Sequence, residues 1–179
     1  MISGQAQDSI DRIFRKAANT RLPLDSDDAC EVEVIAHDAL AHHPQAEVVV
    51  LTISSILFRL LLILQFDEDA ATRSYFVKQA SSSSFQEVWS EVANLCCGAI
   101  NQELLHYFPD LGMSTPYVLS ARSVQHLEDL KPGFLASYAV TINHTATVRA
   151  TLCVCADAPL DFVADVAAHE DNSGELEFF

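Results

Sequence analysis

The sequence predicts an α/β (α+β) domain in which a mostly antiparallel sheet carries long helices packed on it. Three observations lead there. Half of the 179 residues are hydrophobic, enough for a sizeable core in one domain with appended segments. Residues 48–66 form the most hydrophobic stretch and suit two strands buried in a sheet. Residues 84–107 read as a long helix, and the β-rich runs 134–142 and 146–155 flank Asn143-His144-Thr145, a hairpin signal. A single domain is expected, with an N-terminal helical region at 1–45, a core at 46–156 and an acidic tail at 157–179.

Ile10, Ile13, Phe14 and Ala17 recur at i, i+3, i+4 and i+7, which predicts an amphipathic helix over 5–19. Asp8 and Asp11 fall early in it and Arg15 and Lys16 late, the order that a helix dipole favours. Residues 21–23 end it. Residues 25–33 read as an acidic connection. Its Asp25, Asp27 and Asp28 lack the glycine and distal glutamate of a calcium loop. Residues 34–43 suggest a short helix. His37, His42 and His43 have no Cys or carboxylate partners at zinc-ligand spacing, so they read as solvated or packing histidines.

Residues 48–66 are long enough for a membrane helix. Arg59, near the middle, would cost about 2.5–3.5 kcal/mol there, and Thr52, Ser54, Ser55 and Gln65 add polarity. Strands over 48–57 and 60–66 fit better, although no turn glycine separates them. Asp67, Glu68 and Asp69 then open a helix that runs to Val77. Residues 81–84 are a polar linker whose serine caps the long helix. A turn follows at 109–112, a strand at 115–119 with proline tolerated at its edge, and a turn at 131–133. Residues 165–179 are acidic and expected to fray, with Phe178 and Phe179 able to dock.

The 10 basic residues against 25 acidic ones give a net charge of −15. Nucleic acid and anionic membrane surfaces are therefore disfavoured as partners, since both need clustered Lys and Arg. The five cysteines have no metal-like spacing and read as free thiols in a reducing compartment. The N-terminus has no secretory pattern, so a cytoplasmic location is expected and the Asn143 sequon carries no weight. No nucleophile elbow surrounds the serines at 81–84, and no G-x-G-x-x-G or P-loop occurs.

On the long helix Glu91 and Asn94 share one face, and Gly98 follows a turn later. Val88, Val92, Leu95 and Ala99 fall on another face and are expected to be buried. Such a polar stripe is by itself most often only solvated.

The run Glu91-Val-Ala-Asn94-Leu-Cys-Cys-Gly98 resembles the E-x-x-N-x-x-x-G signature of the CheC/CheX/FliY phosphatases of bacterial chemotaxis. That signature lies on a long helix, often with Asp or Ser four residues earlier and a proline some twenty-odd residues later. Here Glu87 takes the first place, and Pro116 lies 22 residues after Asn94. The strands and acidic-led helix before the motif, and the strand and hairpin after it, are also similar. A glycine often found after the post-proline strand is replaced by Ser120-Ala121. Two-site relatives carry a second E-x-x-N helix. The first helix here reads Lys16-Ala-Ala-Asn19, so the resemblance is to the single-site, CheX-like type.

The resemblance implies hydrolysis of the aspartyl phosphate on a phosphorylated CheY-like response regulator. Asn94 would orient the attacking water, and Glu91 would pair with the regulator's lysine. Glu87, Gly98 and Pro116 would contact the partner. It implies no cofactor of the protein's own, because Mg²⁺ is expected on the regulator. The alternative on the same fold is a non-catalytic binding or scaffold module in chemotaxis or flagellar signalling. The β-rich C-terminal half could offer an edge for a homodimer.

Overall fold

The computed structural model describes residues 1–36, 47–67, 69–77 and 84–166. The first helix, α1 (Gly4–Arg21), is followed by strands β1 (Cys30–Ile35), β2 (Glu47–Ser54) and β3 (Phe58–Phe66). Helices α2 (Ala70–Val77) and α3 (Phe85–Leu105) come next, then β4 (Gly112–Met113) and β5 (Tyr117–Ser120). A 3-10 segment at Ala121–Leu130 leads to the hairpin β6 (Phe134–Ile142) and β7 (Ala146–Ala156). The sheet order is β1-β6-β7-β3-β2, with β4 and β5 both on the outer edge of β2. Every one of these pairs is antiparallel. The mostly antiparallel α+β architecture is as expected.

Two-residue alternation sends Phe58, Leu60, Leu62, Leu64 and Phe66 of β3 to one face, where all are buried. They meet Ile10, Ile13, Phe14 and Ala17 of α1 and Val88, Val92 and Cys96 of α3 in one continuous core. Each large apolar side chain buried there is worth about 1.5–3 kcal/mol. The opposite face shows Val48, Val50, Ile63 and Cys153, covered by Ala121, Val124 and Leu127 of the 3-10 segment.

Several local expectations shift. Residues 30–35 are a strand paired with β6, so Val34 and Ile35 extend a sheet edge instead of opening a helix. The acidic connection correspondingly ends before Cys30. The rest of the expected short helix, with His37, His42 and His43, lies outside the described residues, as do Glu68 and 167–179. The first hydrophobic strand ends at Ser54, not at residue 57. Ser55 supplies the missing turn signal: its Oγ accepts from the N–H groups of Leu57 at 3.0 Å and Phe58 at 3.3 Å. Asp8 and Asp11 lie beyond the first turn of α1, whose N-cap is Ser3, and Asp11 pairs with Arg15 at 2.7 Å. In the β6–β7 turn Asn143 and His144 take positive φ of 51° and 57°, the handedness that tight hairpins need. Among the described residues no helix is long and apolar enough to cross a membrane.

Candidate functional site

The site begins with the cap of α3. Ser84 Oγ accepts from the Glu87 N–H at 3.2 Å, and the Glu87 carboxylate accepts from the Ser84 N–H at 2.8 Å. This reciprocal capping box fixes the first turn. Gln86 Nε2 donates to Glu47 Oε2 at 3.1 Å, tying that turn to β2. Trp89 stacks on Phe66, with centroids 4.9 Å apart and planes at 9°, and its ring lies 4.1 Å from that of Phe85. These anchors set the rotation of α3 about its axis.

With the rotation fixed, residues four apart line up along the helix. Gln86, Ser90 and Asn94 form one row, and Glu87, Glu91 and Leu95 form the crest beside it. Val88 and Val92 form the next row and are buried. Leu95 therefore does not join the buried face expected for it. It is 47% exposed, because it follows Glu91 by one turn on the crest.

Facing the first row is the segment before β5. Ser114 N–H donates to Thr52 O at 2.9 Å, and the Thr52 N–H donates to Ser114 Oγ at 2.9 Å. Val118 is registered with Val49 of β2. Pro116, just before the strand, has no N–H and costs the ladder nothing. Between this wall and α3 runs an open groove of about 550 Å³, lined by Gln86, Glu87, Ser90, Glu91, Asn94, Pro116 and Val118. The structure thus brings together Glu87, Glu91, Asn94 and Pro116. Gly98, half-buried a turn further along, is not part of the lining.

Glu91 is exposed and Asn94 is half-buried. Neither side chain makes a hydrogen bond or ion pair to another described residue. A carboxylate can accept from a cation, and a carboxamide can donate and accept at once. Both are available to a molecule entering the groove. Glu87 differs, since its carboxylate is already bonded within the cap.

No family model and no curated protein matches the sequence. Solved structures do. Chemotaxis protein CheX from Vibrio vulnificus superposes with a TM-score of 0.55 and 14% identity, covering 84% of this chain and 99% of that one. A CheC-like superfamily protein from Shewanella sp. PV-4 gives 0.53 and 12%, covering 82% and 97%. A chain of the CheX-CheY-BeF3-Mg²⁺ complex from Borrelia burgdorferi gives 0.53 and 11%, covering 81% and 97%. The fold is that of CheX- and CheC-like proteins.

On this CheX-like fold α1 packs beside α3. Here its Lys16 binds Glu103 of α3 at 2.7 Å and the Val166 carbonyl at 3.0 Å. That residue is used to fasten the two helices together. Ser120, where a glycine is common, N-caps the 3-10 segment by accepting from the Arg122 N–H at 3.4 Å, and Ala121 is buried under it.

The cysteines are free thiols. Burial pushes Cys30 up to about 11 and Cys97 and Cys153 up to about 12, so they remain protonated and poor nucleophiles near neutrality. Among the described residues no cluster of three or more His, Cys, Asp or Glu is placed to hold a metal ion. Asp28 of the acidic connection instead bonds Tyr75 and Asn143. Sequence reasoning missed the groove-facing row of Gln86 and Ser90. Their four-residue spacing to Asn94 was the available signal.

Proposed function

We propose that the protein accelerates hydrolysis of the aspartyl phosphate on a CheY-like response regulator. The observation that carries this reading is the pairing of Glu91 and Asn94, both uncommitted, on one open groove of a CheX-like fold. The Borrelia structure adds support, since its complex holds a CheY together with BeF3 and Mg²⁺.

The chemistry asks little covalent work of this chain. Phosphoryl transfer is dominated by positioning and electrostatics, and the metal on the regulator neutralises the developing charge. Asn94 enters the regulator's site and orients a water in line with phosphorus. Its amide donates to one oxygen while its carbonyl accepts from the water. Glu91 pairs with a regulator lysine and sets the register of the two proteins. The water attacks phosphorus. The P–O bond to the aspartate breaks with its electron pair going to the aspartate, which stays on the regulator as a carboxylate. Inorganic phosphate departs with the water's oxygen and proton. Gly98 and Pro116 leave room for the approaching backbone.

The test is to follow dephosphorylation of phosphorylated CheY-like receivers from the same cell with and without the protein. Wild type should accelerate one of them. Asn94→Ala should remove about 10²-fold of that acceleration, the usual cost of losing one positioned polar group, while receiver binding persists. Glu91→Ala should act chiefly on KM. Acceleration that survives in Asn94→Ala refutes the water-orienting role. Binding without acceleration in wild type would favour a scaffold module on the same fold.

A further inference from the structure

The crest of α3 has a second flank. There a groove of about 460 Å³ is lined by Arg21, Pro23, Leu24, Val88, Val92 and Leu95, with Glu87 and Glu91 on its rim. Those two carboxylates also line the first groove. A partner seated over Glu91 is therefore within reach of both grooves.

The wall opposite α3 is preformed. Leu22 N–H closes α1 on the Ala18 carbonyl at 3.1 Å, and its side chain is fully buried. The Tyr75 hydroxyl accepts from the Leu24 N–H at 2.7 Å and donates to Asp28. Little ordering is lost when such a surface binds. Leu95 projects from the crest as an exposed aliphatic side chain. Arg21 is exposed at the end of α1 and, among the described residues, no ion pair holds it. The surface is thus written in three parts: carboxylates on the crest, an apolar groove beside them, and a cation on the far wall.

We propose that this second groove is the other half of the regulator-docking surface and selects which receiver is accepted. The complement is a receiver domain that sets a cation against Glu91, an apolar side chain between Leu24 and Leu95, and a carboxylate against Arg21. A second copy of this chain is a poorer occupant. Its net charge is also −15, and a symmetric contact would press the Glu87–Glu91 crests together, where like charges are costly. The inference takes its occupant from the phosphatase reading.

The experiment uses the full chain and phosphorylated CheY-like receivers from the same cell. It measures kcat and KM, and also the Kd of the receiver for Asn94→Ala, which reports docking without turnover. Leu95 and Arg21 are exposed, so Leu95→Asp and Arg21→Glu should fold, as thermal unfolding will check. Leu95→Asp is expected to raise KM and Kd about tenfold, as loss of an interface anchor does, with kcat little changed. Arg21→Glu should raise KM about fivefold, and Arg21→Lys should restore it, as a charge contact requires. Unchanged KM and Kd in both variants overturn the docking role while leaving the phosphatase reading intact. Receiver binding that depends on Leu95 without any dephosphorylation sinks the phosphatase reading and leaves the groove standing. A wild type that binds no receiver overturns both. A Leu95→Asp variant that splits a wild-type dimer and leaves receiver binding unchanged would assign the groove to a second copy instead.

Discussion

Gly98 separates the demands of the fold from those of the site. Glycine inside a helix costs about 0.5–1 kcal/mol relative to alanine. A Cβ at Gly98 would meet nothing within 4 Å. Nothing inside the described chain therefore requires glycine there. Gly98→Ala should raise stability by about 0.5–1 kcal/mol in urea unfolding, yet raise KM for the receiver if a partner backbone passes close by. A stabilised variant with unchanged KM would remove Gly98 from the docking surface. The i, i+3 spacing placed Glu91 and Asn94 on one face, and the resemblance of their motif was what set that face apart from a merely solvated stripe. Leu95 was not legible. Its apolar character suggested burial, whereas the rotation of α3 is set by Trp89 and Phe66, a contact between residues far apart in sequence.

At the scale of elements, local chemistry carried furthest where caps and alternation are strong. Ser84 and the 134–155 hairpin were readable for that reason. The strand β1 was obscured by its Glu31 and Glu33, although Cys30-Glu31-Val32-Glu33 does alternate. The 3-10 segment shows neither helix nor strand period. Its buried residues Ala121, Val124 and Leu127 recur every third position, the period of a 3-10 helix. Asp69 offers a test of a cap. Its carboxylate accepts from the N–H groups of Thr72 at 2.9 Å and Ala71 at 2.8 Å. The Thr72 N–H, first, holds the carboxyl below the usual aspartate range. A folded value below the unfolded one means that the charge stabilises above the unfolded value of about 3.9. That stabilisation is lost as pH falls through the lowered folded value. Asp69→Ala should cost about 1 kcal/mol at pH 7, and solvent screening at this exposed site limits the ionic share. The gap between wild type and variant in thermal unfolding should narrow as pH drops below about 4. A gap that stays constant from pH 7 to 2 would assign the cap to neutral hydrogen bonding.

Across the whole molecule, the N-terminal segment stands outside the motif region in sequence but inside the core in space. Its β1 pairs with β6, joining Cys30 to Ile142 and Ile35 to Ser137. A pairing across that separation leaves no local trace, so sequence patterning could not reveal it. Phe14 lies 4.5 Å from the Tyr138 ring, and the Tyr138 hydroxyl donates to Asp11 at 2.8 Å. Ile10, Ile13, Phe14 and Leu22 are all buried. At about 1.5–3 kcal/mol each, these four side chains match much of the 5–15 kcal/mol, roughly, that keeps a domain folded. Lys16 also fastens α1 to α3, the helix that bears the site. Deleting residues 1–29 should therefore abolish cooperative unfolding and, with it, any ordered groove on α3. The single tryptophan, Trp89, reports on this directly because it stacks between α3 and the sheet. Its fluorescence in urea should follow a sigmoid in the full chain and a featureless drift in the truncated one. If the truncated chain kept the same midpoint and slope, α1 would be an appendage and the core would belong to the sheet, α2 and α3 alone.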